Sequence, residues 1–405
     1  MAADRTRVLF FAEAVTLAHV ARPLCLARAL DGERFEVHLA ASDSYAALVR
    51  DTPFARHPLR SIPPQQFMEA LAKGSPVYSA ETLARYVEED RALIASVRPD
   101  VVVGDFRISL SASARLSRVP YVTITNAYWS PYAEPRYIVP DLPFVRAFGA
   151  RLGQVMFDIV RPVAFAHHTR PLARVRRQHR LPDLGFDLRR TYTDADVTLY
   201  ADVPELIPLK DKPENHHFIG PIHWQPEVAP PAWWRDLPED RPLVYVTLGS
   251  SGPKRCLPGM LSELGRLPVT VVVATAGPCE LPSLPSNVHV ADYLPGDDAA
   301  RRSAVVICNG GSPTSMQALR HGVPVIGVPS NLDQYLNMHY LTAAGVGRIV
   351  RAGPSTGAEV ATALADMLSD SSWTARARQI ADRLAAYDYR EIFPRLLDAT
   401  LAKAQ

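Results

Sequence analysis

The chain has 405 residues, 47% of them apolar, and carries 44 lysines and arginines against 42 aspartates and glutamates. This length and apolar content predict two domains with sizeable cores rather than one. The formal net charge of +2 argues against a protein dedicated to nucleic-acid binding, although a local basic patch stays compatible with it.

Cysteine usage and hydropathy indicate the compartment. The four cysteines form no CxxC pair, which is typical of reduced thiols in a cytoplasmic protein. The first residues include a short apolar run but no signal-peptide core with a cleavage site. No apolar stretch approaches the roughly 20 residues of a membrane span. We therefore expect a soluble cytoplasmic protein with no transmembrane segment.

The first half alternates strands with helices. The strand "RVLFF" is followed by a loop over Thr16–His19 and by a predicted helix at 22–32, where Leu24, Ala27 and Leu30 recur at helical spacing before Gly32. Further strands are predicted at 35–42, 99–106, 120–125, 196–202 and 216–222. Such alternation predicts a parallel sheet covered by helices.

A proline-rich segment separates the two halves. Residues 1–222 form the predicted N-terminal domain, 223–241 the linker, and 242–385 the C-terminal domain. The second half contains predicted strands at 243–252, 269–277, 287–295, 304–311, 323–330 and 345–350. The last helices, from Trp373 to Gln405, are predicted to be interrupted by Pro394. The final one, within 386–405, is expected to pack back on the N-terminal domain.

The two halves predict an α/β protein with two Rossmann-like parallel-sheet domains facing a central cleft. Ligands of such sheets bind at the carboxyl ends of the strands. His19 and Asp105 follow strands of the first half, and Asn309 and Asp333 follow strands of the second. We expect these places to contribute to one site.

The turn "NGGSPT", residues 309–314, leaves a buried strand for a helix. Its glycines allow close approach, Ser312 fits a helix N-cap, and Pro313 fits the first helical position. Amides at a helix start attract anions, and phosphate is the expected guest. An ordinary strand-to-helix turn fits the same residues equally well.

The stretch "NGGSPTSMQALRHGVPVIGVPSNLDQYLN" resembles the donor-binding signature of GT-B glycosyltransferases of the UDP-glycosyltransferase-like family, which includes antibiotic and macrolide glycosyltransferases. The resemblance extends to "FIGPI", "VYVTLGS" and "VADYLP", and weakly to "LAHVARPLCLARAL". The resemblance extends over most of the chain and is specific from Val244 to Asn337.

The resemblance implies a donor site for a nucleotide sugar, UDP- or TDP-linked, with no other cofactor. Phosphate contacts would come from the glycine turn and Ser250, nucleobase contacts from the "VADYLP" segment, and sugar-hydroxyl contacts from the Asp-Gln pair. The implied residues are Ser250, Tyr293, Leu294, Asn309, Gly310, Gly311, Ser312, Thr314, Gln317, Asp333 and Gln334.

Three positions depart from the family pattern. Asn309 replaces a histidine, so it can donate to a phosphate without adding positive charge. Pro313 replaces a glycine and removes one backbone donor. Gln317 replaces a glutamate that contacts the ribose in relatives. These changes put the donor's identity in question, but the anion site remains.

In the first domain the resemblance implies catalysis by His19, with Asp105 orienting its imidazole and stabilising the charged form. The implied reaction is an inverting displacement of UDP or TDP by a hydroxyl or amine. The leaving diphosphate would be stabilised by helix-terminal amides, without a metal. "TDAD" at 193–196 imitates a DxD metal motif, but it precedes a strand as an ordinary acidic turn, and no metal site is expected.

The acceptor is expected to be a lipophilic or aromatic small molecule of natural-product type, because residues 126–144 are rich in aromatic residues and proline. A surface loop fits that segment nearly as well. The basic stretch "RPLARVRRQHR" is interpreted as a solvated helix face. The alternative is that it contacts an acidic acceptor, a carrier protein or a membrane surface. A catalytically inactive nucleotide- or partner-binding relative and a sugar-nucleotide epimerase are the alternative functions.

Overall fold

The computed structural model describes residues 5–225, 227–249, 251–281 and 284–404. They divide into two compact units. Unit 1 contains Met1–Glu134, Val155–Trp224 and Tyr387–Gln405, and unit 2 contains Pro135–Gln154 and Gln225–Ala386.

Unit 1 contains a parallel sheet of seven strands in the order β3-β2-β1-β4-β5-β6-β7. Alternate residues of β1 pack into different clusters, Phe10 on one face and Phe11 on the other, because both faces are covered. The strands are β1 Thr6–Ala12, β2 Phe35–Ala41, β3 Ala55–Pro58, β4 Val101–Asp105, β5 Tyr121–Thr125, β6 Val197–Tyr200 and β7 His216–Phe218.

The helices of unit 1 connect successive parallel strands, except that α6 begins in unit 2 and continues into unit 1, and that α14 follows the last helix of unit 2. They are α1 Leu17–Arg28, α2 Ala46–Val49, α3 Pro64–Lys73, α4 Ala80–Val97, α5 Leu110–Ser117, α6 Pro143–Gln178, α7 Leu188–Thr193 and α14 Tyr389–Ala404. Within the described ranges, no helix is long and apolar enough to cross a membrane.

Unit 2 contains a parallel sheet of six strands in the order β10-β9-β8-β11-β12-β13. Its strands are β8 Leu243–Thr247, β9 Thr270–Ala274, β10 Val288–Ala291, β11 Val305–Cys308, β12 Val325–Gly327 and β13 Gly347–Ile349. Its helices are α8 Leu257–Leu264, α9 Gly296–Arg302, α10 Ser312–Arg320, α11 Leu332–Ala343, α12 Thr356–Ser369 and α13 Ser372–Ala385. The predicted pair of parallel α/β sheets is confirmed.

Three local predictions differ from the structure. The edge strand β3 was not predicted, because "ARHP" is largely exposed and has no apolar run. Helix α1 begins at Leu17, earlier than predicted, with Thr16 as an extended N-cap and Pro23 inside the helix. Pro394 lies within α14 rather than interrupting it, and the chain breaks instead before Asp388, which caps the amide of Arg390.

The segment predicted as a linker packs partly on unit 2. Trp234 is buried, and its indole Nε1 donates to Asp298 Oδ2 at 3.0 Å while Arg302 lies over its ring. The final helix α14 buries Phe393 and Leu397 in the cluster that contains Phe10 of β1. Tyr387–Gln405 therefore belongs to unit 1 although it follows unit 2 in sequence.

A buried ion-pair network ties together the carboxyl ends of β1 and β4. Arg107 Nη1 donates to Glu13 Oε2 at 2.7 Å, and its Nη2 donates to Asp90 Oδ1 at 2.8 Å. All three side chains are fully buried. Asp90 also accepts from the hydroxyl of Ser109, and the Arg107 guanidinium lies over the ring of Tyr86. The loop after β4 is therefore anchored to α4 and to the residue after β1.

Substituting Arg107→Met should lower the free energy of unfolding by about 3–5 kcal/mol near neutral pH, because it leaves two buried carboxylates without their cation. The loss should shrink as the pH falls, since burial raises the pKa of Glu13 and its carboxyl then binds a proton and loses its charge. Urea unfolding followed by circular dichroism measures both effects. The control is Arg91→Met, whose exposed pair with Glu88 should cost less than about 1 kcal/mol. Equal losses in the two variants would contradict this account.

Candidate functional site

His19 and Asp105 meet at the carboxyl edge of the first sheet. Strands β1 and β4 are parallel neighbours, with Ala12 paired to Asp105 at the last register position. Helix α1 starts after β1 and brings His19 within its first turn to the end of β4. His19 Nδ1 lies 2.8 Å from Asp105 Oδ1. The structure thus brings together the two residues that the sequence selects in this unit.

Arg22 completes this arrangement. Its Nε donates to Asp105 Oδ2 at 2.6 Å, and its Nη2 donates to Asp105 Oδ1 at 2.8 Å. Its Nη1 reaches the side-chain oxygen of Asn126 at 2.8 Å. Burial raises the pKa of Asp105, but the charges of Arg22 and His19 lower it more, so the pKa lies below its usual range. The Asp105 carboxylate is therefore ionised and fixed on both oxygens.

The imidazole of His19 is oriented from a second side by Phe106. The two rings stack with centroids 4.7 Å apart, and the His19 side chain keeps 18% of its surface exposed. Phe106 has a φ of 59°, an uncommon left-handed conformation for a bulky residue. Arg22 Nη2 also lies 3.1 Å from Nδ1. In the tautomer whose Nδ1–H donates to Asp105, Nε2 carries the lone pair and can accept a proton.

Arg22 was missed by the sequence analysis, although its spacing offered a signal. It follows His19 by three residues, so both side chains lie on one face of α1. The predicted loop over Thr16–His19 placed the histidine outside the helix and concealed this relation.

In unit 2 the helix after the glycine turn begins one residue earlier than predicted, because Gly311 and not Ser312 is its N-cap residue. Gly310 adopts a φ of 77°, and a Cβ at this position would lie 2.6 Å from Met338 Cγ. Gly311 is the extended N-cap residue of α10, and Pro313 lies in the first turn. Helix N-termini carry partial positive charge from amides without intrahelical partners, and Pro313 removes one of these donors. Ser312 is buried and Thr314 half-buried in the same turn.

Asn309 uses its side chain to brace this turn. Its Oδ1 accepts from the amide of Gly311 at 3.0 Å, and its Nδ2 donates to Ser251 Oγ at 3.2 Å. The sequence predicts that the side-chain Nδ2 of Asn309 donates to a phosphate. In the structure the Nδ2 donor bonds to Ser251. The Oδ1 acceptor bonds the backbone N–H two residues on, as short amide side chains readily do.

Gln334, predicted to contact sugar hydroxyls, is buried at the start of α11. Its Oε1 accepts from the Ser330 amide at 2.8 Å, and its Nε2 donates to Ser251 Oγ at 3.3 Å. Asp333 is half-buried in the same first turn, which Asn331 caps. The structure brings Asn309 and Gln334 together through the hydroxyl of Ser251.

Two further residues hold the turn, and the sequence analysis assigned a role to neither. Ser251 Oγ accepts from both Asn309 and Gln334, one position after the predicted Ser250, which lies outside the described residues. Asn337 Nδ2 donates to the Gly310 carbonyl at 2.8 Å and to Ser315 Oγ at 2.9 Å. Asn337 belongs to the quoted motif, so its presence there was the available signal.

The remaining predicted donor residues lie around α9 and α10. Gln317 is buried with its amide 3.5 Å from Gln225 Oε1, which also accepts from the Asp297 amide at 2.8 Å. The Tyr293 side chain is 52% exposed, whereas Leu294 is buried. Tyr293 can therefore present an aromatic face to a base, and Leu294 can contribute only its backbone.

The acidic pair of "TDAD" is used in structural contacts. Asp194 pairs with Arg115 and Arg176, at 2.7 Å each. Asp196 Oδ2 accepts from the Tyr121 amide at 2.8 Å. In the part of the chain that the structure describes, no group of three or more histidines, cysteines or acidic residues could hold a metal ion.

Comparison with known proteins assigns the family. Residues 259–398 match the family described as "Erythromycin biosynthesis protein CIII-like, C-terminal domain". The chain is 50% identical to a PGL/p-HBAD biosynthesis glycosyltransferase of Mycobacterium tuberculosis (strain H37Ra) over 380 residues, 94% of this chain and 89% of the relative. The chain belongs to the PGL/p-HBAD biosynthesis glycosyltransferase family. It is a glycosyltransferase.

Other members of this glycosyltransferase family match comparably. A PGL/p-HBAD biosynthesis rhamnosyltransferase of Mycobacterium bovis (strain BCG Pasteur) is 50% identical over 94% of this chain and 85% of its own length. A protein of the same organism named as an inactive PGL/p-HBAD biosynthesis glycosyltransferase is 49% identical over 65% of this chain and 72% of its length.

Solved structures support the fold. The glycotransferase of kitacinnamycin superposes with a TM-score of 0.73 at 19% identity, covering 97% of this chain and 99% of that one. The spinosyn rhamnosyltransferase SpnG complexed with thymidine diphosphate has a TM-score of 0.69 at 20% identity, covering 97% and 100%. The predicted GT-B fold and the predicted glycosyltransferase class are confirmed, and the roles of individual residues stay predictions.

Substituting Gly310→Ala should destabilise this glycosyltransferase by about 1–3 kcal/mol, because the new methyl group overlaps Met338 and must adopt a left-handed φ. Urea unfolding followed by tryptophan fluorescence measures the loss. The control is Gly259→Ala in α8, where a Cβ would have no atom within 4 Å. It should be neutral or slightly stabilising, because alanine favours helix over glycine. A Gly310 variant as stable as the Gly259 variant would contradict the described packing.

Proposed function

We propose that the protein transfers a sugar, with inversion at the anomeric carbon, from a TDP-sugar to a hydroxyl of a lipophilic or aromatic acceptor. The observation that carries this proposal is the 2.8 Å contact between His19 Nδ1 and Asp105, which leaves Nε2 as the basic nitrogen. The acceptor belongs to the PGL/p-HBAD type for which its relatives are named.

The proposed chemistry is a direct displacement. His19 Nε2 takes the proton of the acceptor hydroxyl as its oxygen bonds to the anomeric carbon. The bond from that carbon to the phosphate oxygen breaks, and the nucleoside diphosphate leaves with the electron pair. Amides in the first turn of α10 stabilise the departing charge. Asp105 holds the imidazole and offsets its positive charge after proton transfer.

His19→Ala should lower turnover by about 10²–10⁴-fold, since it removes the general base while leaving the donor residues intact. The measurement is TDP release from TDP-rhamnose, with water or 4-nitrophenol as acceptor. His217→Ala, a half-buried histidine on β7, serves as the control and should retain wild-type turnover.

Thermal unfolding with TDP separates chemistry from binding, because the His19 variant should keep the full nucleotide-dependent shift. Turnover unchanged in His19→Ala would refute the role of the base. A wild-type chain that binds TDP and never releases it from a TDP-sugar would instead support a catalytically inactive nucleotide-binding protein, like the relative named inactive.

The nucleotide preference follows from Gln317. A glutamate at this position can accept from both hydroxyls of a ribose, whereas the neutral glutamine accepts more weakly. Because deoxyribose has one hydroxyl fewer, the glutamine should weaken its binding less than the binding of ribose. A fold neighbour was also solved with thymidine diphosphate. These arguments favour TDP over UDP.

TDP should therefore raise the midpoint of thermal unfolding more than UDP at equal concentration. At 100 times its dissociation constant a ligand adds about 2.7 kcal/mol of stability. Gln317→Glu should reduce the difference between the midpoint shifts that TDP and UDP produce. A larger shift with UDP, or a difference untouched by Gln317→Glu, would contradict the assignment.

A further inference from the structure

The part of helix α6 in unit 1 exposes a row of apolar side chains. Gly149 interrupts the helix, and the row runs along the segment after it. The spacing repeats at one, three, one and three residues, which places the row on one face. Its members are 37–72% exposed: Val155, Met156, Ile159, Val160 and Val163.

The same face turns basic toward the end of the helix. His167, Arg170, Arg174 and Arg177 follow Val163 at steps of four, three, four and three residues, and all four are exposed. The opposite face is anchored in the protein, because Leu172 and Val175 join a buried cluster. The helix is therefore fixed along its inner side and presents a surface that is apolar in its first half and cationic in its second.

The charged side chains that α6 itself places on this face are all basic. Asp158 is the one acidic residue in the sequence from 143 to 178, and it precedes the basic half by nine residues. From the neighbouring α4, Glu81 interacts electrostatically with Arg174. A second copy of the chain could cover the apolar row, but its own α6 would bring the same cations and no matching acidic half.

We propose that this face of α6, residues 155–177, docks the protein on an anionic lipid surface. The apolar row would enter the boundary between headgroups and acyl chains, and the three arginines would contact lipid phosphates. An anionic lipid surface complements both halves, because its acyl chains can bury the apolar row and its headgroups carry the negative charge that the arginines attract. This inference does not depend on the sugar-transfer chemistry.

The test is co-sedimentation of the full chain with vesicles of phosphatidylcholine alone or mixed equally with phosphatidylglycerol. The protein should bind the mixed vesicles at least tenfold more tightly than the neutral ones, and added salt should weaken the binding. The Ile159→Ser/Val163→Ser and Arg170→Glu/Arg174→Glu pairs should each weaken binding at least tenfold. The matched control, Arg50→Glu/Arg56→Glu, changes the same charge at exposed positions elsewhere in unit 1 and should bind like the wild type.

Circular dichroism and thermal unfolding confirm that each variant is folded, which is expected because every altered side chain is exposed. Equal binding to both vesicle types, no binding to either, or wild-type binding by both α6 pairs would overturn the proposal. So would a dimer in solution that Ile159→Ser/Val163→Ser converts to a monomer, since the face would then belong to a second copy.

Discussion

The buried ion pairs of Arg107 set the geometry from which the first candidate site follows. Arg107 joins Glu13, which follows β1, to Asp90 of α4, and it lies two residues after Asp105. Asp105 is the last residue of β4, and the helix that carries His19 follows the neighbouring end of β1. The intervening Phe106 has a left-handed backbone and stacks on His19. Such a conformation persists only where the surroundings determine it, and here the next residue is the buried Arg107, held by its two carboxylate partners.

The second candidate site is held by neutral hydrogen bonds instead. Ser251 accepts from Asn309 and Gln334, and Asn337 bonds the carbonyl of Gly310. These contacts position the glycine turn without placing a fixed side-chain charge in it. A diphosphate bound here would draw its stabilisation from amide dipoles, and Asn309 would have to exchange its contact with Ser251 for one with the ligand. The cost of that exchange is one neutral hydrogen bond, roughly 0.5–1.5 kcal/mol.

The fold could be predicted because its strands are continuous apolar runs buried on both faces, as in "VVVGD" of β4. The exposed edge strand β3 has no such run and could not be predicted this way. His19, Asp105 and the glycine turn were found because they belong to a known pattern. Arg22 was missed because its role depends on where α1 begins and on the position of Asp105, 83 residues away. The use of Asn309 as a brace likewise depends on Ser251, which sequence proximity does not reveal.

Arg22 changes what the aspartate can do for the histidine. A buried carboxylate beside an imidazole usually raises its basicity by stabilising the imidazolium. Here the guanidinium takes both oxygens of Asp105 and lies 3.1 Å from His19 Nδ1. Its positive charge keeps the aspartate ionised. In the proposed reaction, Asp105 as the acceptor for Nδ1–H would select the tautomer whose free lone pair is on Nε2. In the proposed reaction this arrangement would aim Nε2 at the acceptor hydroxyl.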